Sequence, residues 1–178
     1  TLIKSISGIR GTINNQDNKG LSDDEIVKCV KQFASFCMQN KTTKNTIAVG
    51  RDGRSSGLRI IQLVNSTLIN MGVDVINLDL TTTPSVQLAV IHECCLAGIM
   101  VSASHNPINW NGLKFLNSKG EFLSKKEGEK VFNYSCEKNQ DYNLNAVIQN
   151  MNYLDKHVEL ILQLNDVNLD QIKRSNFK

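Results

Sequence analysis

The residues best suited to chemistry in this chain lie where a short apolar run ends in small polar side chains. Residues 97–116 read AGIMVSASHNPINWNGLKFL, so Ser104 and His105 come shortly after the apolar run 99–101. A serine hydroxyl on a turn after a buried strand can serve as a nucleophile. Neighbouring side chains of an extended loop point apart, so His105 is not expected to activate Ser104 as a triad histidine would. No G-x-S-x-G sequence surrounds Ser104, which argues against a serine hydrolase.

Three polar loops follow predicted strands, and they offer a common chemistry. The sequence RDGRSSG comes after Gly50, TTTPS after Leu80 and SASHNP after Val101. Ligands of open α/β sheets bind outside the carboxyl ends of the strands, so these loops are expected to meet at one cleft. Their hydroxyls, glycine-exposed N–H groups and arginines favour a phosphate. Arg10, in the glycine-flanked sequence SGIRGT, is a candidate to join them.

Such loops need strands and helices that alternate along the chain, and the hydrophobic pattern predicts them. Ser22 and Glu25 have capping-box spacing, and Ser124 and Glu127 repeat it. The alternation predicts an α/β fold, a three-layer α/β/α domain with a mixed, mostly parallel four-stranded sheet. The predicted strands are 46–50, 73–78, 98–101 and 113–116; the predicted helices are 22–38, one through Met71 that ends at Gly72, one beginning at Pro84, and one from Ser124 to about Tyr134.

The composition of the chain changes after the last of these helices. Residues 139–152 are rich in asparagine and lack periodicity, which indicates a linker or an irregular arm. Residues 153–164 again show helical periodicity. We therefore predict a domain over residues 1–150 and a linker helix over residues 151–178, with a cut at a domain boundary where the sequence ends.

Composition and charge exclude several classes of function. The chain has 178 residues, of which 40% are hydrophobic and 21% charged, with a net charge of +3 and no basic stripe. These values predict a globular domain without a nucleic-acid partner. No apolar run is long enough to span a bilayer, and the N-terminus lacks a secretory signal. Five cysteines without a C-x-x-C pair predict free thiols and a cytoplasmic location.

The loop around Ser104 also resembles the signature loop of a known enzyme family. Residues 102–114 resemble T-A-S-H-N-P-x-x-x-N-G-x-K of the α-D-phosphohexomutases, with Ser102 in place of threonine. The sequences SGIRG at 7–11, GRDGRSSG at 50–57 and TTTP at 81–84 resemble three further motifs of this family, in the family's order. The resemblance makes residues 1–150 domain I, the phosphoserine domain, and makes residues 151–178 the beginning of a truncated domain II.

The resemblance implies a mutase reaction in which Ser104 is the phosphoserine. Its phosphoryl group passes to a hexose or hexosamine monophosphate, a 1,6-bisphosphate forms, and the other phosphate returns, so that phosphate moves between C1 and C6. Phosphoryl transfer depends mainly on positioning and charge stabilisation. Arginine scarcely deprotonates, so Arg10 is assigned an electrostatic role and Lys114 the transfer of the proton. His105 is expected to steady the phosphate or to shuttle a proton.

The same resemblance implies further ligands and partners. Ser102 and Asn106, with Arg10 and Lys114, are the implied phosphate-binding residues. Mg²⁺ is the implied cofactor, held by the phosphate on Ser104 and by aspartates of a D-G-D-x-D-R loop, a sequence that this chain does not contain. The implied partners are a phosphosugar and the remaining mutase domains, with no membrane partner.

Two alternatives to an active mutase remain open on sequence grounds. The chain alone covers about the first third of a complete mutase, so we expect it to lack mutase turnover. A non-catalytic phosphosugar- or anion-binding module would keep the same loops. The substrate is not fixed by these residues, although the opening KSISGIRGTI favours phosphoglucosamine mutase or phosphomannomutase-like members.

Overall fold

The computed structural model describes residues 1–6, 8–13, 20–39, 44–135 and 145–177. Strands and helices alternate over most of this length, as the hydrophobic pattern predicts. The strands are β1 (Leu2–Ser5), β2 (Gly8–Thr12), β3 (Thr46–Arg51), β4 (Asp74–Leu80), β5 (Ala97–Val101), β6 (Trp110–Leu116) and β7 (Ile148–Asn150). The helices are α1 (Asp23–Met38), α2 (Gly57–Ile69), α3 (Thr83–His92), α4 (Lys125–Phe132), α5 (Tyr153–Leu162) and α6 (Leu169–Arg174).

The sheet has seven strands in the order β1-β2-β6-β5-β3-β4-β7. The predicted mixed sheet is confirmed, but the predicted count of four strands is wrong. Pairings of β3 with β4 and β5, and of β4 with β7, are parallel. Pairings of β2 with β1 and β6, and of β5 with β6, are antiparallel. The sheet is therefore half parallel rather than mostly parallel.

Three short strands account for the difference in strand number. Strand β1 is largely exposed, β2 contains two glycines, and β7 has three exposed residues within the stretch predicted as a linker. None of them has the alternation of apolar and polar residues that identifies a half-buried strand. The conformation of β2 and β7 comes from backbone pairing with the distant strands β6 and β4, and β1 pairs, among the described strands, only with β2, so a local hydrophobic pattern does not reveal them.

Helices α1 and α4 begin at the residues that the capping pattern predicts. The Ser22 hydroxyl accepts a hydrogen bond from the backbone N–H of Glu25 at 3.2 Å. Ser124 and Glu127 form a complete capping box at the start of α4. Satisfying these free N–H groups stabilises each helix by about 1 kcal/mol. Gly72, with φ of +70°, follows α2 and ends it, because glycine adopts that conformation without strain.

Two apolar cores lie on opposite faces of the sheet and give the predicted three layers. The larger core packs α1 and α2 against one face, and its ring pair Phe33 and Phe115 is stacked at 4.3 Å between centroids. The smaller core packs α3 against the other face. Within β5, Ile99 and Val101 belong to the larger core and Met100 to the smaller, so this strand contributes alternate residues to both.

The segment after β7 remains in contact with the domain. Tyr153, the first residue of α5, is buried in the smaller core, and its hydroxyl donates to a Glu93 carboxylate oxygen at 3.3 Å. His157 of α5 lies 2.9 Å from the Ser85 hydroxyl of α3, measured from Nδ1 to Oγ. The division at residue 150 stays a prediction. No helix of the described residues is long and apolar enough to cross a membrane.

The cysteines that the structure describes are all free thiols, as the sequence predicts, and Cys136 lies outside the described residues. Burial raises the pKa of Cys29 to about 11 and that of Cys95 to about 12, from an ordinary value of 9.0. In the folded state these thiols therefore stay protonated at pH values where the unfolded chain ionises. Because the folded state then holds more protons, its stability must decrease as the pH rises above the unfolded value.

We expect the free energy of unfolding to fall by up to about 1.4 kcal/mol per pH unit for each buried thiol between about pH 9 and the folded pKa. Urea unfolding at several pH values in this range measures the slope. Cys95→Ala should make the slope less steep, whereas Cys94→Ala, which removes an exposed neighbour, should change it less. Equal slopes for both variants would contradict the assignment.

Candidate functional site

Ser104 lies on an exposed turn between β5 and β6. Its backbone has φ of +57°, a left-handed conformation that is uncommon for a residue with a side chain. The Ser102 hydroxyl accepts a hydrogen bond from the Ser104 N–H at 3.0 Å. The Asn106 side-chain amide donates to the Ala103 carbonyl at 2.7 Å. Ser102 and Asn106, predicted to bind phosphate, are therefore also hydrogen-bonded within the loop.

Arg54, in the loop after β3, donates hydrogen bonds to the backbone carbonyl groups of this turn. Its Nη2 donates to the carbonyl oxygens of Ser104 and Asn106, each at 2.7 Å. Its Nη1 donates to those of Pro107 and Trp110 at 2.7 and 3.0 Å. The expectation that this loop offers its arginines to a phosphate therefore needs correction for Arg54, because the protein's own carbonyls occupy its guanidinium.

Asp52 completes this arrangement. One of its carboxylate oxygens accepts from the Arg54 backbone N–H at 3.1 Å, and the other accepts from Nε at 3.3 Å. Its own N–H donates to the carbonyl of Val101 at 3.0 Å. Arg51 is held in turn by Asp79, with Nε 2.6 Å from the carboxylate oxygen. Both arginines of RDGRSSG therefore bind acceptor groups of the protein itself.

Asn111 links the same turn to helix α2. This residue is fully buried, and its side-chain amide donates to the hydroxyl of Ser56, the N-cap residue of α2, at 2.9 Å. Its side-chain oxygen accepts from the Gly112 N–H at 2.8 Å. The motifs predicted no structural role for Arg54, Ser56 or Asn111. The contacts that join the turn to Arg54 and to Ser56 connect residues about fifty positions apart, which a local pattern does not reveal.

Arg10 lies beside the strand that leaves the turn. It pairs with Gly112 across β2 and β6, and Gly112 in turn accepts a backbone hydrogen bond from Ser102 at 2.9 Å. A side chain at position 112 would place a Cβ 2.9 Å from the Cβ of Arg10, so glycine leaves room for the arginine. The Arg10 Nε is buried and has no hydrogen-bond partner among the described residues. Ser7, from the same motif, lies outside them.

Lys114 lies on the same face of the sheet as Arg10. It follows Gly112 by two residues on β6, and alternate residues of a strand share a face. It pairs with Met100 of β5, which packs in the smaller core on the α3 side. Its ammonium group lies 5.9 Å from the ring centroid of Phe122, within reach of a cation–π interaction. Two cationic side chains therefore share one sheet face.

The loop TTTPS reaches the same end of the sheet. The Thr81 N–H donates to the carbonyl of Arg51 at 2.9 Å, which joins the loops after β3 and β4. The Thr82 hydroxyl accepts from the Ser85 N–H at 3.3 Å and begins helix α3, with Pro84 in its first turn. The loops after β3, β4 and β5 are thus joined by hydrogen bonds, as the strand order predicts. His105 is exposed, beside Ser104.

The described residues do not by themselves fit a magnesium site. They contain no cluster of three or more histidine, cysteine, aspartate or glutamate side chains. Asp52, the carboxylate that neighbours the turn, already accepts hydrogen bonds at both oxygens. Among the described residues, the exposed Ser104 is the one that the implied site would use, through the oxygens of its phosphate.

Comparison with known proteins agrees with the motifs. Residues 2–142 match the family model described as phosphoglucomutase/phosphomannomutase, alpha/beta/alpha domain I. A phosphoglucosamine/phosphogalactosamine mutase of Sulfurisphaera tokodaii is 28% identical over 96% of this chain and 36% of its own length. A phosphoglucosamine mutase of Natranaerobius thermophilus is 34% identical over 71% of this chain and 27% of its own length.

Solved structures show the same fold. A phosphoglucomutase/phosphomannomutase family protein of Burkholderia thailandensis superimposes with a TM-score of 0.70 at 22% identity, over 91% of this chain and 36% of that one. The chain therefore spans about a third of the length of the relatives that it matches.

Proposed function

The chain belongs to the α-D-phosphohexomutase family, as its first, α/β/α domain, and from that premise we propose that Ser104 carries the phosphoryl group of a phosphohexomutase. The observation that carries the proposal is the exposed, left-handed turn at Ser104, held at its N–H and at its carbonyl. Such a turn presents a hydroxyl to solvent on a fixed backbone. The cations Arg10 and Lys114 share one face of the strands beside it.

The proposed reaction transfers a phosphoryl group between two oxygens. The bond between Oγ of phosphorylated Ser104 and phosphorus breaks, and a bond forms between phosphorus and a free hydroxyl of a hexose monophosphate. The proton of that sugar hydroxyl returns to Oγ of Ser104. Turning the resulting 1,6-bisphosphate and reversing the step moves the phosphate between C1 and C6.

Each neighbouring residue has a proposed part in this transfer. A phosphoserine carries about −2 charge and needs cationic partners. Arg10 has a buried donor that finds no partner in the described protein, which suits it to an incoming phosphate oxygen. We assign the proton transfer to Lys114, because an ammonium group can exchange a proton where a guanidinium scarcely does. His105, exposed beside the turn, is proposed to steady the phosphate or to carry a proton.

Cofactor, partners and location are proposals as well. Mg²⁺ would be held by the phosphate on Ser104 together with ligands from outside this chain, where it would neutralise charge on the phosphate. The partners would be the phosphosugar and the remaining mutase domains, and the location cytoplasmic. Among substrates we favour a hexosamine phosphate, since the two named relatives are described as mutases of phosphoglucosamine.

We also propose that residues 1–150 form the phosphoserine domain and that residues 151–178 lead into a second domain. Strand β7 ends at Asn150, which supports a boundary there, although α5 still packs on α3 through Tyr153. A chain of this length lacks the D-G-D-x-D-R sequence. We therefore expect it to take up a phosphoryl group without sustaining isomerisation of hexose phosphates.

The test is phosphorylation of the purified chain by glucose 1,6-bisphosphate, followed by intact-mass analysis. We expect one added phosphoryl group, located at Ser104 by peptide fragmentation. Ser104→Ala should add none, while Ser118→Ala, which alters an exposed serine after β6, should react as the unaltered chain does.

Four outcomes would contradict the proposal or a part of it. Absence of the added group in the unaltered chain would favour an anion-binding module. Addition to Ser104→Ala would place the chemistry elsewhere, and labelling of Ser104 by a fluorophosphonate would point to a serine hydrolase. Sustained isomerisation by the chain alone would contradict the expected lack of turnover.

A further inference from the structure

We propose that Arg54 is a positioning residue that fixes the backbone conformation of Ser104, an inference that rests on the function proposed for that serine. The guanidinium of Arg54 lies among backbone carbonyls of the 104–110 turn. It touches neither the sugar nor the phosphoryl group in this proposal. Its effect on the reaction passes through the backbone of Ser104.

The hydrogen bonds of Arg54 use its entire donor capacity. A guanidinium has five N–H donors. Four of them bind carbonyl oxygens of the turn, and the fifth, on Nε, binds Asp52. No donor remains for a phosphate. The side chain is therefore built to hold the loop, in contrast to Arg10, whose buried Nε has no hydrogen-bond partner in the described part of the chain.

Arginine is the residue that this loop geometry requires. Four carbonyl oxygens that converge on one group repel each other unless a cation with several donors lies between them. Lysine offers three donors on a point charge, whereas arginine offers five in a rigid, planar array. Asp52 binds the Arg54 side chain at Nε and its backbone at N–H, so it fixes the direction of the guanidinium and balances its charge.

Hydrogen bonds at both the N–H and the carbonyl of Ser104 restrict the conformation of its backbone. Its N–H is bound by the Ser102 hydroxyl and its carbonyl by Nη2 of Arg54. With both peptide groups fixed, the residue is held at a φ of +57° that a serine rarely adopts unaided. The hydroxyl then has only its few staggered side-chain rotamers to choose among. Loss of Arg54 frees the carbonyl and lets the turn relax.

This role predicts a separation between the rate of transfer and the binding of the phosphoryl donor. The test measures phosphoryl uptake by the purified chain from glucose 1,6-bisphosphate at several concentrations, using intact mass. For Arg54→Ala we expect the maximal rate constant to fall by about 10²-fold, the effect of a misplacement near 1 Å. The half-saturating concentration should change less than about twofold, because Arg54 contacts no phosphate.

Two variants and one additive separate position from charge. Arg54→Lys keeps the positive charge and should stay at least about tenfold slow, because it cannot bind four carbonyls at once. Methylguanidinium added to Arg54→Ala should restore part of the rate. Arg59→Ala is the matched control, because Arg59 is an exposed arginine of α2 whose partner is Asp23. It should react at the rate of the unaltered chain.

Different outcomes would overturn the role of Arg54 and the function proposed for Ser104. An unchanged rate in Arg54→Ala, or a loss confined to the half-saturating concentration, would overturn the inference. If Arg54→Ala fails to fold, as judged by circular dichroism, the folded Arg54→Lys variant decides by the same criteria. If the unaltered chain takes up no phosphoryl group, the proposed function fails. The inference is then decided by the backbone ¹³C shifts and HN–Hα coupling of Ser104, and a left-handed Ser104 that persists in Arg54→Lys overturns it.

Discussion

Replacing Arg10 by methionine is expected to slow phosphoryl transfer to Ser104 by about 10³-fold, the lower end of what loss of a transition-state arginine costs. The reason is electrostatic. The buried Nε of Arg10 has no hydrogen-bond partner among the described residues. In the transition state, the phosphoryl group carries negative charge on its equatorial oxygens, which such a donor can stabilise. Methionine keeps the length and the apolar stem of the side chain but supplies neither donor nor charge. Intact-mass measurement of the phosphorylation rate provides the value.

Lys4, a cationic residue on the strand next to β2, provides the control for Arg10→Met. Lys4 of β1 pairs with Ile9 across the β1–β2 ladder, and its ammonium group lies 3.2 Å from a carboxylate oxygen of Glu25. Lys4→Met therefore removes one positive charge close in sequence and in the sheet to Arg10. We expect a change in rate below about twofold, because Lys4 shares the sheet face of its partner Ile9, opposite to that of Arg10. Equal losses in the two variants would mean that net charge, and not the position of Arg10, supports the reaction.

Replacing Lys114 tests which residue transfers the proton during phosphoryl transfer. Its ammonium group lies by the Phe122 ring, on the sheet face that also carries Arg10. If Lys114 carries the proton and Arg10 supplies charge, then Lys114→Met alters the pH profile of phosphoryl transfer, whereas Arg10→Met lowers the rate evenly across the profile. The two cations can therefore be told apart even when both variants are slow.

The parts of the fold that the sequence predicted are those with strong local signals. Helix α1 begins after Ser22 because its cap and its apolar spacing lie within one segment. Strands β3, β4 and β5 are buried runs, recognisable one at a time. Strands β1, β2 and β7 carry no such signal: β2 and β7 pair with strands that are remote in sequence, and the edge strand β1 pairs, among the strands described, only with its neighbour β2.

The same distinction explains the candidate site. The order of strands and loops predicted that the loops after β3, β4 and β5 would meet, and backbone hydrogen bonds do join them. The sequence did not reveal the use of Arg54, because a glycine-flanked arginine looks the same whether it faces a phosphate or the protein's own carbonyls. Its Asp52 partner, two residues earlier, is the local signal that was present. The reactive-site roles of Ser104, Arg10 and Lys114 stay predictions.

Replacing Phe115 by alanine is expected to lower the free energy of unfolding by about 3–5 kcal/mol. Phe115 is fully buried on β6, stacked on Phe33 and tilted against Phe132 at 6.4 Å between centroids. Its loss leaves a cavity between the sheet and helix α1 as well as an unmatched ring. For a chain of this length the melting temperature should fall by about 10 °C. Thermal unfolding followed by circular dichroism measures both quantities.

The matched control is Phe122→Ala, which removes a ring that is 45% exposed and lies beyond the end of β6. It should cost about 1 kcal/mol, because nearly half of that residue's surface is already in contact with water. A cost as large as that of Phe115→Ala would mean that the segment after β6 contributes as much to stability as the core does.

Phe115 follows Lys114 directly on β6. If its loss disorders this strand, the folded Phe115→Ala protein should also transfer the phosphoryl group more slowly. An unchanged rate there would show that the turn at Ser104 is held by its own hydrogen bonds, independently of the core beneath it.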